Sequence, residues 1–85
     1  MAGAIGYYEP LQPRGYVDSS NVDTRTVQGA YYHGSELFSG GTYGILVVFR
    51  YSKNVVQFDF SFNGVSQYRA STNLGSSWSE LFKLS

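Results

Sequence analysis

The sequence predicts a small all-β domain: an antiparallel meander or sandwich of about five strands behind an irregular N-terminal arm. Three observations lead there. No segment sustains a helical period, whereas residues 43–62 are dense in apolar side chains at strand spacing. Asn63-Gly64 stands between two alternating runs, and this dipeptide is the strongest short hairpin signal. Aromatic residues, which fit pleated surfaces, make up 18% of the chain, with 8 Tyr and 6 Phe.

Taken in order, residues 1–20 hold both prolines and no regular period. Proline fixes φ and removes a donor, so Glu9-Pro10-Leu11-Gln12-Pro13 reads as extended or turn-like. Residues 1–20 are therefore taken as an arm, with Tyr7, Tyr8 and Tyr16 as its candidate contacts to another subunit. The β domain spans 21–85. It opens on the polar turn Asn21-Val22-Asp23-Thr24, which suits a short helical turn capped by Ser20 or Asn21. Gly29-Ala30-Tyr31-Tyr32-His33 is the next strand. Tyr43 to Tyr51 is the strongest, with Ile45, Val47 and Phe49 on one face and Leu46 and Val48 on the other, as in a central strand. After the turn Ser52-Lys53-Asn54, Val55 to Phe62 alternates. Its apolar set (Val56, Phe58, Phe60, Phe62) is expected inward, and Val55, Gln57, Asp59 and Ser61 outward. Asn63-Gly64 is expected to form a type I′ turn into a strand from Val65 to Ser71. The loop Thr72 to Ser77 leads to a last strand, Trp78 to Leu84.

The 85 residues allow one domain, and a chain this short buries only about 60–65% of its unfolded surface. It has no cysteine, which excludes disulfide staples and thiolate chemistry. A single histidine, His33, cannot build a multi-histidine metal centre, and no cofactor is expected. Six Lys+Arg balance six Asp+Glu. Zero net charge argues against a nucleic-acid partner, since that binding is driven by phosphate neutralisation. Charged residues are 14% of the chain, against about 25% in an average domain, and so low a charge favours association. The longest apolar run, Gly44 to Phe49, falls far short of the ~20 residues of a membrane helix, so no membrane insertion is expected. The start lacks a basic n-region and is not read as a signal peptide; it suits synthesis in a cytosol.

Catalytic motifs are nearly lacking. Gly40-Gly41 is not followed by the Lys-Ser/Thr of a phosphate loop, and no Gly-x-Ser-x-Gly elbow occurs. A Ser-His-Asp triad would need His33 with Asp23 or Asp59; the plainer reading is a strand-end histidine. Asp18 to Asp23 resembles a calcium loop only loosely, because the Gly and the closing Glu are missing; turn and cap chemistry explains it. Arg50 and Arg69 are read as strand residues facing solvent or pairing with Asp59 or Glu80. No enzymatic activity is expected. Aromatic rings beside uncharged polar groups suit sugar recognition. The polar loops therefore supply the candidate ligand residues Phe38, Tyr43, Tyr51, Lys53, Asn54 and Asn73.

Six pieces in order carry a family resemblance. They are Asn21-Val22-Asp23-Thr24 before Gly29-Ala30-Tyr31, Gly44-Ile45-Leu46-Val47-Val48, Val55-Val56-Gln57-Phe58, Tyr68-Arg69 and the closing Trp78-Ser79-Glu80-Leu81-Phe82-Lys83-Leu84. This order resembles the pyocin-knob type of domain found in phage tail fibres and R-type pyocin fibres. Leu81 and Phe82 stand where that family carries a second Trp. The resemblance implies a non-enzymatic virion module, made in the host cytoplasm and mounted in a tail fibre or fibre tip. It also implies a homotrimer, with other virion proteins and bacterial surface glycan or lipopolysaccharide as partners, and residues 1–20 as a fibre linker. Two alternatives stand beside it: a purely structural virion component (capsid decoration or fibre trimerisation), and a free-standing sugar-binding β module.

Overall fold

The computed structural model describes residues 12–84. Tyr7 and Tyr8 therefore lie outside the described residues. The strands are β1 (Pro13–Tyr16), β2 (Gly29–His33), β3 (Gly44–Tyr51), β4 (Asn54–Ser61), β5 (Ser66–Ser71) and β6 (Phe82–Lys83), with a 3₁₀ turn at Val22–Thr24 before β2. They form one sheet in the order β1-β2-β3-β4-β5-β6. The chain is thus all-β, a meander from β2 onward in a single sheet. The pairs from β2–β3 through β5–β6 are antiparallel, as short turns require.

Part of the expected arm belongs to the sheet. β1 pairs parallel with β2. A parallel pair needs a crossover of a dozen residues or more, and residues 17–28 provide it. This crossover runs over one face and buries Val17 and Val22. The 3₁₀ turn forms without the expected cap: the Asn21 side chain accepts a hydrogen bond from the Asp18 amide instead, at 2.9 Å.

The Asn63-Gly64 turn also differs in type. Gly64 donates its amide to the Ser61 carbonyl at 3.1 Å, so Phe62 and Asn63 are the central residues. Only Gly64 has positive φ, at +94°, while the Asn63 side chain accepts from the Val65 amide. This is a type I turn closed by a glycine bulge, in place of the expected type I′ turn. The last strand shortens to Phe82–Lys83. Trp78 and Leu81 leave the ladder and pack on the core instead.

The two faces of the sheet are the reverse of the expectation for β4. Val55, Gln57, Asp59 and Ser61 are buried, whereas Phe60 is 41% and Phe62 60% exposed. Three irregular segments cover the Val55 face: the crossover, the loop after β2 with Leu37 and Phe38, and the stretch after β5 with Trp78 and Leu81. Together with Tyr31, Leu46, Val48 and Val55 they form the core. Alternation in β4 says that its two faces differ, but the paths of these connections decide which one is covered.

Candidate functional site

Among the described residues no segment covers the opposite face, which is aromatic from edge to edge. Strand pairing places Ala30 and Tyr32 of β2, Ile45, Val47 and Phe49 of β3 and Val56, Phe58 and Phe60 of β4 on it. Ser66, Tyr68 and Ala70 of β5 and Phe82 of β6 continue it. No strand position of this set is charged. Phe49, Phe58, Tyr68 and Phe82 form a ladder of rings across four strands, with centroids 5.9, 5.5 and 5.2 Å apart. Phe60 stacks beside Phe58 at 6.2 Å, and Tyr43 meets Phe62 edge-on at 5.3 Å. At the far edge Tyr16 and Tyr32 lie 6.0 Å apart. Such ring pairs contribute about 0.5–1.5 kcal/mol each beyond their area.

The covered face holds polar side chains with long reach. Gln57 donates to the carbonyls of Val22 and Arg25 at 2.8 and 2.9 Å, tying the crossover to the sheet. Arg69 donates to Gln57 Oε1 at 2.8 Å and to Asp23 at 2.6 Å. Its guanidinium lies over the Trp78 ring at 4.3 Å and the Phe38 ring at 4.8 Å. Arg69 thus joins all three covering segments, and its partner is Asp23, where the sequence suggested Asp59, Glu80 or solvent. Asp23, Gln57, Arg69 and Trp78 come from four of the six sequence pieces described above, and they meet in this one cluster. Arg69→Ala is expected to lower stability by about 3 kcal/mol, because it removes two charge-assisted bonds and leaves Gln57 Oε1 buried without its donor. Thermal melting at fixed chain concentration checks this. Arg69→Lys should recover only part of the loss, since an ammonium neither stacks nor donates as a planar fork.

His33 and Asp59 form a fully buried pair at 2.6 Å. His33 Nδ1 faces the Ser35 carbonyl oxygen at 2.9 Å and so carries a hydrogen. One further proton lies between Nε2 and the Asp59 carboxylate. The Ser61 hydroxyl donates to the other carboxylate oxygen at 3.3 Å. Both ring nitrogens are therefore committed, and neither faces a serine hydroxyl as a triad base must. Burial pushes the Asp59 carboxyl above its ordinary range, opposed by the His33 charge and by hydrogen bonds from His33 and Ser61. Among the described residues no group of three His, Cys, Asp or Glu side chains is placed to hold a metal ion.

The candidate ligand residues fall into three places. Phe38 is buried at 8% exposure, under Arg69 within the chain's own core, so it is a core residue. Tyr43 stands at one end of β3, on the aromatic face. Tyr51, 82% exposed, lies at the other end, about 26 Å away by strand rise. Lys53 and Asn54 share that end and are exposed. The Leu74 amide donates to the Lys53 carbonyl at 2.9 Å, which brings the loop of Asn73 beside them. The Asn73 side chain itself is spent on its own loop, bonded to Ser71 and Ser77. Tyr16 lies on the aromatic face and is 53% exposed. Phe58, Phe60 and Phe82 are the residues the sequence reading placed in a core or left aside. The available signal was the lack of charge on the parity of Phe58 and Phe60 in β4 and of Tyr68 in β5, beside Gln57, Asp59, Gln67 and Arg69 on the other. No family model, curated protein or solved structure matches this chain.

Proposed function

We propose that this chain is a non-enzymatic attachment module of a phage virion, a tail-fibre or fibre-tip domain that works as a homotrimer and contacts glycan on the bacterial surface. The uncharged aromatic face carries the reading. Tyr16, Tyr32, Tyr43, Ile45, Phe49, Phe60, Phe62 and Phe82 are each roughly two- to three-fifths exposed. At 150–250 Å² per aromatic side chain they present on the order of 800 Å² of apolar surface. That exceeds the largest patch of an ordinary monomer, about 300–600 Å². It equals the ~800 Å² that each partner contributes to a standard interface. The knob resemblance supplies the trimer, the fibre setting and the virion partners. Glycan contact then falls to the end of the molecule that such an interface leaves free, where the Tyr51 ring stands beside Lys53 and Asn54.

Native mass spectrometry and a lipopolysaccharide and glycan array test both halves. The expected mass is three times the 9.4 kDa chain, with array binding that Tyr51→Ala reduces at least tenfold. A monomer at micromolar concentration overturns the assembly reading. A trimer that binds nothing on the array identifies a structural virion component instead.

A further inference from the structure

The aromatic face has a concave edge. Pro13, Gly15, Tyr16, Ala30, Tyr32 and Ile45 line a groove of about 410 Å³ along β1 and β2. Its floor is low because Gly15 has no side chain, sits at φ +106° and has open space where a Cβ would stand. Ala30 adds only a methyl group. The Tyr16 and Tyr32 rings, tilted 50° to each other, form one wall. The lining side chains are apolar or tyrosine, and none is charged. Tyr16, Tyr32 and Ile45 belong to the groove and to the proposed subunit interface alike.

We propose that this groove receives the N-terminal arm, residues 5–11, of a second copy of the chain. The inference rests on the homo-oligomer reading above and adds a partner contact to it. Chemistry favours this occupant: Ile5, Tyr7, Tyr8 and Leu11 are large and apolar, and Glu9 is the segment's one charge. Direction at Gln12 favours a neighbour's arm over the chain's own. The Ala30 amide donates to the Gln12 carbonyl at 3.0 Å, so Gln12 still runs along β2. A residue before proline is held extended, which carries the chain straight into Pro13. β1 is parallel to β2 and Pro13 pairs with Ala30, at the start of both strands. Gln12 therefore lies toward the Gly29 end, away from the Tyr16 end of the groove. Reach favours a neighbour. Eleven extended residues span about 36 Å, more than the 26 and 23 Å short axes of the protein.

The chain has no cysteine, which makes a directed cross-link clean. Full-length Tyr8→Cys chains are mixed with mass-tagged full-length Ala30→Cys chains, allowed to exchange subunits, and oxidised. The expected product is a disulfide between tagged and untagged chains, at least tenfold above a control that pairs Tyr8→Cys with Leu74→Cys. In parallel, a Tyr7→Ser, Tyr8→Ser double variant is expected to dissociate at tenfold or more higher concentration than the parent. An oligomeric parent that gives no cross-link above the control overturns the arm contact alone. So does a chain carrying both cysteines that closes within itself while mixed chains stay apart. A monomeric parent overturns the oligomer reading together with it.

Discussion

Asp59→Ala is expected to destabilise the fold by about 4 kcal/mol, the largest effect of any single truncation considered. Asp59 and His33 are both fully buried, and each satisfies the other. Removing the carboxylate takes away the partner of His33 Nε2 and leaves the Ser61 hydroxyl only its contacts with Thr42. In a domain of this size the loss corresponds to roughly 20 °C in melting temperature. Asp59→Asn separates charge from geometry. An Asn amide donates to a neutral His33 Nε2 while Nδ1 still donates to Ser35, so this variant should lose only about 1 kcal/mol. Equal losses for Ala and Asn would show that the pair does not act through this hydrogen bond.

The same pair sets the sign of one pH effect. Burial raises the Asp59 carboxyl above the ordinary carboxylate value of 3.8. The folded state therefore holds this proton more tightly than the unfolded state does. Its contribution to stability is fully present below pH 3.8 and is lost as pH rises through the folded value. Asp18 has the opposite sign. Hydrogen bonds from the Ser20 side chain and amide lower its pKa, so its contribution is present above 3.8 and is lost on acidification. Melting curves across the acid range, compared between the parent and Asp59→Asn, isolate the first effect: the difference should shrink as pH rises.

Phe60→Lys is expected to break the proposed assembly while leaving the chain folded. Phe60 is 41% exposed in the isolated chain and stacks on Phe58 at the middle of the aromatic face. A lysine there keeps its ammonium in water in a free subunit, so circular dichroism should hardly change. In an oligomer packed through this face the same ammonium is buried without a partner. The dissociation constant should rise at least 100-fold, equivalent to about 3 kcal/mol. Native mass at micromolar concentration should fall to that of a single 9.4 kDa chain. A variant that keeps the parent mass would place the interface elsewhere. Tyr51→Lys, at the exposed hairpin end, should leave the mass unchanged.

Much of the fold was legible because it rests on local rules. β2, β3, β4 and β5 lie within a residue or two of where alternation and turn residues place them. β1 was not legible. Its pairing partner, β2, lies beyond a crossover, and nothing in Pro13–Tyr16 by itself records that distant contact. The shortened last strand has a similar cause. Trp78 alternates like a strand residue, yet its ring has a better partner in the Arg69 guanidinium than in the ladder. Of the candidate site, Tyr51, Lys53 and Asn54 stand together and exposed because one turn holds them. Phe38 does not join them, because Arg69 draws its ring inside.

The sequence by itself determined an all-β meander, the positions of its turns, its low charge and the existence of two unlike faces on β4. These follow from backbone geometry and composition, which act over a few residues. Only the tertiary structure decided which face is inside. Gln57, Asp59 and Arg69 carry hydrogen-bonding groups that the crossover, His33 and Asp23 satisfy, and contacts across 12 to 46 residues bring those partners together. A polar face whose Gln57, Asp59 and Arg69 side chains are anchored in this way accepts covering loops. The aromatic face, uncharged and ring-rich, is left open by the described residues, and that face carries the proposed function.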